Sequence, residues 1–236
     1  MISSDLKMDM VEPKRSILMN VIDNGKNNFV LSEDYPGVTV RFDGDNNRLN
    51  INNSLEKNLS NLDVSFVGDG SVVSINEVRR IGKLRLVAKN GGGVSIGRKT
   101  SIEEAYFLAD SSKIEIGQDC MISFQVNMRT TDAHGIYDLN SGELLNCPGK
   151  IKIEDHVWLG QGVLVSSNVV VRDNCVIGAR SYLRNCIIDK NSIAVGTPAR
   201  VIRDQIIWDR RMTSNFLADD ANIDSELMNW IVSDED

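Results

Sequence analysis

The chain holds two histidines and four cysteines, and these few side chains bound the chemistry open to it. His134 lies in the run RTTDAHGIYD between Asp132 and Asp138, two carboxylates able to orient an imidazole. Imidazole exchanges protons near neutral pH, so a histidine in this setting can take the proton of an alcohol. His156, in EDHVWLG, reads as a surface residue. Trp158, two residues on, falls at an outward position where an indole is unusual; it either packs under a loop or another subunit, or lines a site. Cys120, Cys147, Cys175 and Cys186 form no CxxC pair and have no histidine-rich neighbourhood, so they read as reduced, small apolar residues. Cys147 lies in the same stretch of chain as His134 but has no histidine near it in sequence to activate it. A zinc hydratase would need three histidines around its metal and the chain has two, so no metal is expected.

The elements that must carry these residues follow from a repeat. Stepping by six from Ile153 gives Leu159, Val165, Val171, Ile177, Leu183, Asp189, Val195 and Val201, aliphatic but for Asp189. The residues four after each of the first eight, Val157 through Ala199, are small or aliphatic, and Gly160, Gly178 and Gly196 follow three register residues at corners suited to positive φ. A six-residue step scatters around a helix at ~100° per residue but is a multiple of the strand period of two. The repeat therefore predicts a solenoid of short strands, on the order of 40 Å long if about eight coils stack at ~4.8 Å.

A longer form of the coil precedes it, with apolar residues returning nine positions on: Phe42 to Ile51, Phe66 to Ile75, Val87 to Ile96 and Phe107 to Ile116. Met128 is the last register residue before Ile153, so an excursion leaves the coil between them; long loops on rigid scaffolds tend to carry function. The expected divisions are an N-terminal segment 1–37, irregular coils 38–128, an extruded active-site loop 129–152, regular hexapeptide coils 153–203 and a helical, acidic tail 204–236. IRDQIIWDRRM reads as a short helix, and Ile223, Leu227, Trp230 and Ile231 have the spacing of an amphipathic one.

Charge narrows the partners. The 236 residues, 42% hydrophobic and 25% charged, carry a net charge of −7, which disfavours nucleic acid. Seven acids and no Lys or Arg fall in residues 213–236, so the body is neutral, and Cys120 to Met212 hold eleven bases against nine acids. That balance suits the phosphates of a nucleotide and leaves room for an anionic partner, with Arg129 and Arg184 as carboxylate contacts. No stretch approaches the ~18 apolar residues of a membrane span, and MISSDLKMDMVEPKRS is too polar for a secretory signal, so a cytoplasmic address is expected.

IKIEDHVWLGQGVLV, VIGARSYL and VGTPARVI resemble the left-handed β-helix, hexapeptide-repeat acyltransferases. RTTDAHGIYD, with Trp158 24 residues after its histidine, is similar to the branch that O-acetylates surface sugars, nearest the capsular polysialic acid O-acetyltransferases. The resemblance covers roughly residues 96–212. It implies an all-β, left-handed parallel β-helix with an extruded catalytic loop and a short C-terminal helical tail, a handedness that periodicity alone does not show. It also implies a homotrimer with inter-subunit active sites, acetyl-CoA as cosubstrate and a carbohydrate acceptor. In that frame His134 is the general base and Trp158 lines the thioester end. Gly160, Gly178 and Ala179 meet the pantetheine arm, while Arg180, Thr197, Pro198 and Arg200 lie toward the nucleotide. Arg129, Asp132, Tyr137 and Arg184 face the acceptor, Arg184 standing where relatives carry an aromatic residue. Two other readings stay open: a small-molecule acceptor such as a sugar, serine or an antibiotic, and a β-solenoid that binds without catalysis.

Overall fold

Ile153, Leu159, Val165, Val171, Ile177 and Leu183 are each at most 1% exposed in the computed structural model, which describes residues 19–32, 35–52 and 59–212. Inward residues two apart along very short strands build a prism with three faces. The first face stacks Lys113–Ile116, Ile151–Ile153, Val169–Val171 and Cys186–Ile188. The second stacks Met121–Ile122, Trp158–Leu159, Val176–Ile177 and Ile193–Gly196, and the third Val126–Arg129, Leu164–Val165 and Tyr182–Leu183. All these pairings are parallel.

Upstream, the second and third faces fuse into the ten-residue strands Arg80–Lys89 and Ser101–Asp110; the latter pairs with both Met121–Ile122 and Val126–Arg129. The first face continues through Gly93–Ile96, Val72–Asn76, Arg48–Asn52 and Phe29–Leu31. One ladder therefore runs Ile51, Ile75, Ile96, Ile116, Ile153, Val171, Ile188, and a second Val40, Val64, Leu86, Phe107, Met128, Val165, Leu183. Each such burial stabilises by about 1.5–3 kcal/mol.

Several expectations need correction. Ile151 pairs with Val169 and Trp158 with Val176, an eighteen-residue coil, but Val169 pairs with Cys186 and Val176 with Ile193, one residue fewer. Beyond Leu183 the inward places thus pass to Ile188 and Ala194, while Asp189 and Val201 are exposed and Val195 is half-buried. In the upstream coils Ala88 and Ala109, not Val87 and Phe107, continue the line of Phe42 and Phe66. The coils also begin before residue 38: Asn20–Asp23 pairs with Val38–Asp43, and Phe29–Leu31 with Arg48–Asn52. Their few apolar residues are largely exposed at the end of the stack, which weakened the periodic signal.

No helix forms between 204 and 212. Ala199–Arg203 instead turns back antiparallel on Ile193–Gly196, and the chain then runs back along one corner of the prism, past Asn191, His156 and Asp119, as an irregular strap. Arg210 spends its guanidinium on the Asp119 carboxylate at 2.8 Å, the Ser101 hydroxyl at 2.9 Å and the carbonyls of Asp119 and Cys120 at 2.7 Å. Trp208 stacks on His156, ring centroids 4.1 Å apart, and donates its indole N–H to the His156 carbonyl at 2.7 Å. Bonds to distant coils replace the local i→i−4 bonds a helix would need. They also explain why His156, read as a surface residue, is buried at 2% exposure, at a corner with φ 51°. Residues 213–236, including the amphipathic spacing there, lie outside the described residues.

Two outcomes follow. Arg210→Ala lowers the urea midpoint by the equivalent of about 1.5–3 kcal/mol, the worth of hydrogen bonds to a charged group, and Arg210→Lys recovers only part; equal stability of the alanine variant would show the strap to be passive. Burial pushes the His156 imidazole below the usual histidine range, opposed by its bond to Asn174 and the charge of Asp119. The unfolded chain therefore binds that proton more readily, so stability is full above ~6.5 and is lost as pH falls below it. The fall in midpoint between pH 7.5 and 5.5 shrinks in His156→Asn.

Candidate active site

Val126–Arg129 ends where the third face turns toward the first, and there the chain leaves the coil. The buried Thr130 hydroxyl donates to the Asp110 carbonyl and accepts from the Asp110 N–H, both at 2.9 Å. The returning limb closes the neck through Gly149 N–H to Thr130 O at 2.8 Å, and the Ser167 hydroxyl donates to the same oxygen at 2.9 Å. Gly149 admits no side chain, since a Cβ would lie 2.1 Å from Asn168 Oδ1.

Inside the loop the organiser is Asn146, 8% exposed. Its Oδ1 accepts from the Ile136 N–H at 2.7 Å, and its amide donates to the His134 carbonyl at 2.9 Å and to Asp132 at 3.1 Å. Asp132 in turn takes both arms of Arg184 at 2.8 Å, a bidentate pair with each side chain about a quarter exposed. Hydrogen bonding to Arg184, then to Asn146, holds the Asp132 carboxyl below the usual range, and Asp132 raises the Arg184 guanidinium in turn. The loop is thereby tied to the last coil two residues before its histidine. Neither Asn146 nor the closing bond at Gly149 carried a signal in the sequence.

The structure thus redirects three residues. Asp132 holds the loop rather than the imidazole or an acceptor. Arg184 spends its fork on Asp132 and is not free for a substrate carboxylate. Asp138 caps a turn, accepting from Asn140 and Ser141, which lowers its carboxyl. His134 is exposed, its main chain fixed and its ring without a hydrogen bond among the described residues. Tyr137 is 64% exposed with its ring over Gly135, and Ile136, Leu139 and Leu145 also show apolar surface at the loop. Arg129, outward on its strand, is half-buried, with Nε enclosed and unpartnered among the described residues.

Trp158 stands on the second face, away from the loop's anchors. Its indole N–H reaches the Ser123 hydroxyl at 3.4 Å, and Trp208 tilts against it at 6.0 Å. Following it along that edge, Gly160 is required by close approach rather than by positive φ: a Cβ would lie 2.8 Å from the Ala179 nitrogen. The Ala179 N–H takes no partner among the described residues, and its exposed position leaves a backbone donor beside a space only glycine keeps open. A Cβ on Gly178 would meet Val195 at 2.6 Å. Arg180, Thr197, Pro198 and Arg200 are exposed around the last turn, where Gly196 has φ 105° and the Thr197 hydroxyl lies 3.5 Å from the Arg180 carbonyl. Within one chain, then, the loop and the Trp158 edge are separate.

A parallel solenoid of hexads with one anchored histidine loop defines the class of hexapeptide-repeat transferases. The family model "Bacterial transferase hexapeptide (six repeats)" matches residues 150–185. A crystal structure of the polySia-specific acetyltransferase NeuO superposes with a TM-score of 0.81 at 31% identity, covering 92% of this chain and 98% of that one. The chain is 33% identical over 145 residues to the polysialic acid O-acetyltransferase of Escherichia coli O1:K1, covering 59% of this chain and 46% of that protein. With the polysialic acid O-acetyltransferase of Neisseria meningitidis it shares 29% over 116 residues, covering 49% and 54%. The chain spans about half the length of these curated relatives. It belongs to the hexapeptide-repeat transferase family.

The clamp yields a direct expectation. Arg184→Ala speeds hydrogen exchange of the amides between Asp132 and Asn146 at least tenfold while the coils keep their protection, since charge-assisted bonds are worth about 1.5–3 kcal/mol. Arg184→Lys, which cannot pair bidentately, restores only part. Unchanged exchange in the alanine variant would show the loop to be held by its neck alone.

Proposed function

We propose that the protein is an acetyl-CoA-dependent O-acetyltransferase that modifies a hydroxyl of a capsular or other surface polysaccharide carrying sialic acid. The observation that carries this reading is the histidine loop, braced by Asn146 and the Asp132–Arg184 pair on a hexapeptide solenoid, in a chain similar over nearly its whole described length to a polySia-specific acetyltransferase. His134 removes the proton of the sugar hydroxyl as that oxygen attacks the thioester carbonyl. The Trp158 indole N–H or a backbone N–H steadies the oxyanion, and His134 then returns the proton to the departing thiolate. No residue of the protein is acylated.

The donor's arm fits the second-face edge. The free Ala179 N–H beside Gly160 suits an amide carbonyl of pantetheine, and Arg180 and Arg200 supply cations toward the phosphates. Because that edge and the loop are separate within one chain, the reading requires a neighbouring copy, with the site formed between subunits of a homotrimer. The apolar side chains exposed on the loop, Ile136, Leu139 and Leu145, fit such a contact. Four free cysteines are consistent with a reducing, cytoplasmic setting, and no described helix is long and apolar enough to cross a membrane.

General-base action contributes ~10²–10⁴-fold, so His134→Ala keeps acetyl-CoA binding and loses at least a hundredfold in kcat, read as thiol release in the presence of sialic acid oligosaccharides. More than a tenth of the wild-type rate in that variant would remove His134 from its role. A monomeric mass in solution would overturn the shared site, and a panel adding neutral sugars and serine identifies the acceptor class by mass change.

A further inference from the structure

The outward surface of the third face is nearly self-neutralised. Arg41 pairs with Asp63 at 2.9 Å, Lys83 with Glu104 at 2.8 Å, Lys89 with Asp110 at 3.4 Å and Arg184 with Asp132 at 2.8 Å. Two guanidiniums on this face form no ion pair among the described residues: Arg129, at the neck of the histidine loop, where it lies in the field of an Asp132 already paired with Arg184, and Arg85, two rungs upstream. Asp63 lies beside Arg85 in register, but its ion pair is with Arg41. Arg85 sits over the Tyr106 ring, 5.8 Å from its centroid. Tyr106 and Asn127 are adjacent rungs of the same row, and together with Lys83 and Gln125 they line an open groove. Asn127 is half-buried in that groove, its side-chain oxygen enclosed and without a hydrogen bond among the described residues.

We infer that this strip, from Arg129 across Asn127 and Tyr106 to Arg85, is a binding site for an anionic saccharide chain, holding residues beyond the one that reacts. It rests on the proposed function for the identity of the acceptor but not for the geometry. Each element matches one feature of such a chain: the aromatic ring takes a sugar face, the amide takes hydroxyls, and the two cations outside ion pairs take carboxylates. Arg85 and Arg129 are separated by two rungs at ~4.8 Å and two residues at ~3.3 Å, about 12 Å between their Cα atoms. Engaging both with the Tyr106 ring between them calls for charges on more than one residue of an extended ligand. A single sugar acid occupies only the Arg129 end.

The test measures binding in the absence of acetyl-CoA, by calorimetry on the 236-residue chain, with sialic acid oligomers from a dimer to a long chain and with neutral dextran fragments as control. The wild type binds long anionic chains roughly tenfold or more tightly than the dimer, and the difference falls with added salt. Arg85→Ala and Tyr106→Ala abolish that difference while leaving dimer affinity, acetyl-CoA affinity and oligomeric mass unchanged, and Arg85→Glu inverts the charge with a larger loss. Equal affinity for short and long chains, or loss of dimer and long-chain binding alike in the alanine variants, overturns the strip. Tight, length-dependent binding without acetyl transfer supports the strip and counts only against the proposed function.

Discussion

Everything in this protein hangs on registry between parallel coils. An inward side chain is useful only if it lands directly over its counterpart one coil earlier, and the ladders of Ile51 to Ile188 and Val40 to Leu183 meet that condition over seven rungs. Stability in such a stack is a sum of nearest-neighbour contacts, so each coil must satisfy only the two beside it. The corners bear the geometric cost. Asn168, Asn174, Asn185 and Asn191 adopt left-handed backbone there, a conformation asparagine tolerates better than most residues. With the interior so constrained, the outward positions and the excursions are free to carry chemistry.

The loop shows how a flexible excursion is given a defined shape. Its own residues supply one organiser, Asn146, but a loop organised only from within would still swing on its neck. The Asp132–Arg184 pair prevents this by borrowing a fixed cation from a coil that lies 52 residues further along the chain. A guanidinium suits the task because its planar fork sets direction as well as distance, and its partial shielding from water spares it much of the screening that weakens exposed pairs. The carboxylates flanking the histidine are thereby used for architecture, and the imidazole is left exposed to its surroundings.

The sequence revealed what is periodic and concealed what is not. Six inward residues from Ile153 to Leu183, the return residues Ile51, Ile75, Ile96 and Ile116, and the position of the excursion were all legible because they obey a fixed step. Asp189 marked the place where the step breaks, but a single apolar miss does not distinguish an outward-facing acid from a missing residue, and the coil is in fact one residue short. His156 was misread because burial there comes from Trp208, 52 residues away, which no local pattern reports. The roles of Asp132 and Arg184 were hidden for the same reason. Either residue alone suggested a ligand contact, and only folding shows that they consume each other.

The antiparallel return of Ala199–Arg203 on Ile193–Gly196 has a consequence for the molecule as an object in a crowded solution. A stack of parallel strands is a template at its end, with a row of unpaired amides and carbonyls that invites a further strand from any passing chain. A strand running the wrong way presents on that face a pattern that a parallel coil cannot continue, while the strap beyond it turns back along the prism from Asn191 past His156 to Asp119. The final coil is thus both the place where the repeat loses its register and, on its second face, the place where a parallel ladder is turned aside; the other two faces end at Cys186–Ile188 and Tyr182–Leu183.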